Sequence, residues 1–216
     1  MITQVFASAV FGIDAVPITI EVHIDAGIGY HLVGLPDNAV KESNYHIAAA
    51  LTNTNYKLPG KRITINIAPA DLRKEWSAYD LPIAIGILAA DGQINALDLD
   101  KCCVMGELTL DGHLRPIKGV LPIAVQAKAS GFQSLIVPSE NTKEATVVDG
   151  LDVYGFNHIK DIPSHPSTRS SSKNSFKRVI PIKLYSNPYL FKIFFIKSYC
   201  FWGIANFFII YKNFSF

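Results

Sequence analysis

The first 161 of the 216 residues predict a mixed α/β domain, a sheet covered by helices, and three observations predict it. Pro17–Ile24 and Arg62–Ala68 alternate apolar and polar residues with the period of a half-buried strand. Leu81–Ala90 is an almost wholly apolar run that opens on a proline and closes on Asp91-Gly92, the punctuation of a buried helix. Beyond residue 101, short β-rich runs and helical runs follow one another with glycine stops between them. Strand-rich first and alternating later is the order of a mixed sheet with helices packed on it. A chain of about 160 residues suits one such domain and buries roughly 70% of its unfolded surface.

Each element has a local reason. The amino terminus, MITQVFASAVFGIDAV, reads as a first strand; it lacks the basic start and long apolar run of a signal peptide. In the next strand Ile18, Ile20, Val22 and Ile24 share one face, with Thr19, Glu21 and His23 on the other. A shorter strand, Tyr30–Gly34, follows the glycines at 27 and 29. Asp37 then serves as N-cap of a helix of about four turns whose apolar stripe is Val40, Ile47 and Leu51. Pro59-Gly60 forces a turn into Arg62–Ala68, where Ile63, Ile65 and Ile67 alternate. A polar loop, Pro69–Asp80, precedes the apolar helix. Cys102–Leu110 is β-rich, Asp111-Gly112 supplies a two-residue hairpin turn, and Leu114–Ile117 returns. Leu121–Ser130 is helical, with Gly131 as its left-handed stop before the strand at 134–137. A short helix at Asn141–Val148, a stop at Gly150 and a strand at Asp152–Gly155 complete the domain.

Charge divides the chain. From Ile162 onward there is no Asp or Glu but eight Lys or Arg, so 1–161 holds twelve basic and eighteen acidic residues, a formal −6, although the whole chain is +2. A domain so charged is not an electrostatic trap for nucleic acid, and only a local basic lip could touch phosphate. Lys41, Arg62, Arg73 and Lys74 are the candidates for that lip, toward DNA or a partner protein. Three cysteines without C-x-x-C spacing read as reduced thiols, and the domain as cytoplasmic. Cys102 and Cys103, adjacent on a strand, point to opposite faces. The six histidines lack the spacing of a zinc site, so no metal is expected. Asp71, Glu75 and Asp80 around Arg73 and Lys74 read as a solvated loop with a helix cap. Residues 162–175 read as a linker. Residues 176–216 are an aromatic and basic tail, disordered or the product of a frameshift in an A/T-rich gene. Its longest uncharged run, Ser198–Tyr211, is short of the ~20 residues of a membrane span, so the chain meets a membrane only if that tail inserts with flanking lysines snorkelling.

Four blocks carry a resemblance: VGLPDNAVKES at Val33–Ser43, RITINIAPADLRKEWSAYDLPIAIGILAADGQI at Arg62–Ile94, GELTLDGHLRPIKGVLPIA at Gly106–Ala124, and LIVPSEN at Leu135–Asn141. Together they resemble the amino-terminal domain of the ComM/YifB family of magnesium-chelatase-like AAA+ ATPases, itself related to the Lon proteolytic domain. The resemblance implies a Lon-like fold, of the ribosomal-protein-type domain-2-like class, standing ahead of an ATPase module. In the ComM branch it implies DNA branch migration during natural transformation. The chain itself shows no P-loop: before its sole Gly-Lys, Gly60-Lys61, Asn55 stands where the first glycine belongs, and Arg62 follows where Ser or Thr must hold magnesium. ATP and Mg are therefore expected only for an AAA+ module beyond a chain that reads as truncated.

Active Lon relatives use a Ser-Lys pair, in which an amine of lowered pKa takes the serine proton. Laid against them, Ser77 falls at or next to the nucleophile, while Leu121 occupies the lysine position and Lys118 is three residues too early. Trp76 stands where relatives have Gly. The reading that follows is a non-catalytic assembly or regulatory domain of a ComM/YifB-type ATPase, partnered by protein or an AAA+ ring and binding DNA weakly at most. A Lon-type Ser-Lys peptidase and a membrane-tethered remnant are the alternatives.

Overall fold

The computed structural model describes residues 2–33, 37–69, 76–95 and 99–162, and of 37–41 and 76 the backbone alone. Ile2–Phe11 (β1) and Asp14–Asp25 (β2) form a long antiparallel hairpin, from Ile2 opposite His23 to Phe11 opposite Asp14. Gly29–Val33 (β3) leads to the helix Asp37–Asn53 (α1), and Arg62–Ala68 (β4) then pairs antiparallel with β2 and parallel with β3. A 3₁₀ turn at Trp76–Tyr79 runs into the helix Asp80–Ala90 (α2). Cys102–Val104 (β5), the small antiparallel pair Glu107–Leu108 (β6) and Leu114–Arg115 (β7), the helix Val120–Ala129 (α3) and Ser134–Pro138 (β8) follow. The helix Thr142–Ala145 (α4) and Asp152–Phe156 (β9) end the order.

Among the described residues, seven strands make one mixed sheet, ordered β3-β4-β2-β1-β5-β8-β9. The strand period decides which helix covers which face. Val5 and Val22 turn toward α2, meeting the space above its Gly86. Phe6, Ser8 and Val10 point the other way: Phe6 stacks on Phe132 at 5.3 Å, Ser8 Oγ donates to Gln126 Oε1 at 3.0 Å, and Val10 lies over Gly119. The sheet is thus covered by α2 on one side and by α3 on the other. Ile18, Ile20, Ile63, Ile65 and Ile67 are all but wholly buried, as their alternation requires. Beyond α3's reach the second face is polar, with Asn66 and Gln4 both donating to Glu21 and holding its carboxyl below the usual range.

The mixed α/β class predicted from the sequence is the class observed, and the Arg62–Ala68 strand has the predicted bounds. Three local expectations need correction. Cys102–Leu110 is not one strand: β5 joins the main sheet, and β6 belongs to the separate hairpin. Gly106 breaks it, because its N–H donates to Ala78 O and its carbonyl accepts from Leu81 N–H, so neither is free for a strand ladder. The hairpin turn is not a two-residue loop with two left-handed residues. Gly112 alone has positive φ (88°), Gly112 N–H closes on Thr109 O and Thr109 N–H on His113 O, the three-residue turn with a glycine bulge. The helix expected at Asn141–Val148 is a 3₁₀ turn at Ser139–Asn141 followed by one α-turn. Thr146, Val147 and Val148, all β-branched, resist extending it. The linker, the tail, His165 and Cys200 lie outside the described residues.

Candidate functional site around Ser77 and Asp80

The apolar sequence of α2 allows it no exposed face, and all eleven of its residues are buried. Its start therefore drags one of two nearby polar groups into the interior. Ser77, in the 3₁₀ turn, stays exposed; Asp80, one turn later, is 1% exposed. The expectation that Asp80 sits in a solvated loop is overturned, because α1, β3 and β6 close over it. Ser43 Oγ, from α1, donates to Asp80 Oδ1 at 3.1 Å, and His46 Nδ1, one turn further along α1, faces Asp80 Oδ2 at 3.5 Å. Oδ2 has no hydrogen bond among the described residues.

Burial is the largest influence on Asp80 and raises its pKa to about 7; the Ser43 hydroxyl and His46 pull it back, and Glu107 on β6 pushes it further up. A position in the first turn of α2 favours a carboxylate, by about 0.3–1 kcal/mol and at most ~2. Taking a carboxylate out of water costs several kcal/mol, so burial wins. The phenol of Tyr30, on β3, is also pushed well above its ordinary range, by burial first and by the charge of Asp80 second.

The second half of the suspected catalytic pair is at the start of α3. Gly119, left-handed at φ 70°, provides no side-chain cap. Glu144 of α4 does so from outside: its Oε1 accepts the Leu121 N–H at 2.8 Å. Leu121 is 38% exposed and carries only hydrocarbon at the position where a lysine would be needed. Lys118 is exposed ahead of the helix. Of the basic-lip residues, Arg62 is on β4 with its Nε 3.8 Å from Asp25 Oδ1, a partly exposed ion pair that reduces its availability to phosphate. Lys41 lies on α1 with its side chain outside the described residues, and Arg73, Lys74, Asp71 and Glu75 lie outside them altogether.

Other titratable clusters are structural in kind. Cys102 and Cys103 are both buried and not in a disulfide, Cys102 Sγ lying 2.7 Å from Ser134 Oγ and the Cys103 thiol pushed up to about 12 by burial. His113 and His158 stack edge to face at 4.8 Å and pin the β6–β7 hairpin to the segment after β9. Among the described residues no group of three or more His, Cys, Asp or Glu is placed to hold a metal ion. No helix among them is long and apolar enough to cross a membrane. Sequence reasoning missed the partnership of Asp80 with Ser43 and His46. The signal open to it was the serine three residues before the histidine on one face of α1.

Comparison with known proteins comes to the same region. The family model described as subunit ChlI of Mg-chelatase matches residues 20–141, more than half of the chain. The uncharacterized protein YifB of Escherichia coli and the competence protein ComM of Haemophilus influenzae are each 43% identical over 159 residues. The match covers 73% of this chain and 31% of either relative, so the chain spans about a third of their length. Lon protease 2 of Bacillus subtilis is 27% identical over 124 residues, 56% of this chain and 22% of that protease.

Proposed function

We propose that this chain, which belongs to the ComM/YifB-like, magnesium-chelatase-like family, provides a non-catalytic domain that assembles or regulates an AAA+ ATPase module. The observation that carries the reading is the start of α3. Where a Ser-Lys peptidase needs an amine, Leu121 offers hydrocarbon, and Glu144 already occupies the helix start. Ser77 is exposed without that base, and a serine hydroxyl alone is a poor nucleophile. ATP and magnesium are used by the ATPase module, in the cytoplasm, and its work there is on DNA, a role in keeping with the competence named for the Haemophilus influenzae relative. This domain contributes protein contacts to that work. Its own affinity for DNA is weak and salt-dependent, about 10⁻⁴ M or weaker at physiological salt.

The likeness to Lon protease 2 keeps a peptidase as the reading to be beaten. Purified chain incubated with ATP, and separately with casein, is expected to show no turnover above background. Turnover that Ser77→Ala abolishes would overturn the reading. The assembly role is checked by adding the chain to a YifB or ComM relative lacking this domain and measuring oligomer size and ATPase rate. Restoration of either supports it, and no change in both counts against it.

A further inference from the structure

The joint between α1 and α2 is closed by a carboxyl group that the rest of the domain has left without a full complement of partners. Asp80 is 1% exposed, and each of its oxygens faces a different group of α1, Oδ1 the Ser43 hydroxyl and Oδ2 the ring of His46, which is itself about a third exposed. Among the described residues, the other groups around it offer no cation. β3 contributes the phenol of Tyr30, and β6 contributes Glu107, whose own partner is Arg115 Nη1 at 3.5 Å on β7. The sheet beneath α2 presents Val5 and Val22. Tyr79, next to Asp80 in sequence, donates its hydroxyl to Ser8 O instead.

We infer that Asp80 and His46 form a proton-operated latch that fastens α1 to the start of α2, closed when the pair holds a proton and loosened when that proton leaves. With one proton between Oδ2 and Nδ1, the pair is either a neutral acid beside a neutral ring or a carboxylate facing an imidazolium; both are neutral overall. Removing it leaves a buried carboxylate that faces, among the described residues, one hydroxyl and a neutral ring but no countercharge, and burial of a charge without a countercharge is among the costliest states a fold can hold. Moving α1 aside to admit water relieves that cost. Ser77 lies three residues before Asp80, so the exposed turn next to α2 is the part of the surface that such a movement alters.

The sign of the pH effect follows from Asp80, held at about 7 in the folded chain against about 3.9 when unfolded. The folded chain binds the extra proton between those values. The latch's contribution is therefore complete below the unfolded pKa, declines as pH rises through about 7, and is gone above it. For the full chain, the melting temperature is expected to fall by about 5–10 °C between pH 5 and pH 8 beyond the fall seen in Asp80→Asn. Amide protection of residues 44–53 on α1 should fall with the same midpoint, after correction for intrinsic exchange, while that of β8 stays constant. His46→Gln and Ser43→Ala each remove something that favours the carboxylate, so each should move the midpoint to higher pH. These two variants keep the test decisive should Asp80→Asn fail to fold. Equal pH profiles for the wild type and Asp80→Asn, or a midpoint that both other variants leave unmoved, would overturn the latch.

Discussion

The helices α2 and α3 lie on opposite faces of the same sheet and are built on opposite plans. Every residue of α2 is buried; of the ten in α3, five are, while Leu121 and Val125 are 38% and 54% exposed. The start of α2 encloses its acid, whereas α3 begins at a left-handed glycine and draws its carboxylate from a neighbouring element at the surface. The difference separates two uses of a helix. An all-apolar helix is held by what surrounds it, so any polar group at its end is captured and its ionisation becomes a property of the packing. A two-faced helix keeps its end in water, where charge is cheap and exchangeable. Proton sensitivity therefore belongs at α2 and not at the exposed side of α3.

The sharpest way to break this contrast is to truncate one side chain on each helix. Ile87→Ala on α2, fully buried, is expected to cost about 2–5 kcal/mol. Val125→Ala on α3 should stay within about 0.5 kcal/mol. Urea unfolding of both variants measures the pair, and equal losses would mean that α3 is as enclosed as α2. Gly86→Ala tests how tightly α2 meets the sheet. Alanine gains up to ~1 kcal/mol of helix propensity. Its Cβ would stand 2.7 Å from Val22 Cγ2, however, on a short side chain locked in the core. Overpacking costs about 1–3 kcal/mol, so a net loss of about 1 kcal/mol is expected, and a rise in the urea midpoint would show that the contact yields. A further small effect concerns the start of α3. Glu144→Ala removes the acceptor of the Leu121 N–H and is expected to cost about 0.5–1 kcal/mol. Glu144→Gln, which keeps an acceptor but not the charge, should recover part of that, most visibly at low salt, in the same unfolding assay.

What could be read in advance follows the same division. β4 was legible to the residue because three isoleucines in alternation fix both strand and face, and α2 because an apolar run of that length between Pro82 and Gly92 has few other solutions. Asp80 was misread because Asp before Leu-Pro is, locally, the signature of a solvated helix start; only α1, β3 and β6, remote in sequence, turn it into an interior group. Glu144 could not be assigned to α3 either, since the hydrogen bond spans 23 residues and belongs to no local motif. Gly106 looked like a residue within a strand because its two backbone bonds go to Ala78 in the turn before α2 and to Leu81 in its first turn, another distant region. Ser77 and Leu121 were placed by resemblance, and the structure adds that one is exposed and the other hydrogen-bonded to Glu144.

The position of β1 at the centre of the sheet sets a timetable for the growing chain. One edge of this strand is filled at once by β2 in a tight hairpin. Its other edge waits for β5, with Phe6 aligned on Cys103, almost a hundred residues later. At synthesis rates of about 5–20 residues per second, that edge stays open for roughly 5–20 s after it leaves the ribosome. During that interval an emerging half-sheet offers unpaired backbone to any neighbouring nascent chain, the circumstance in which strands add to the wrong partner. Burden on chaperones during production is thus written into the strand order, independently of how stable the finished domain becomes.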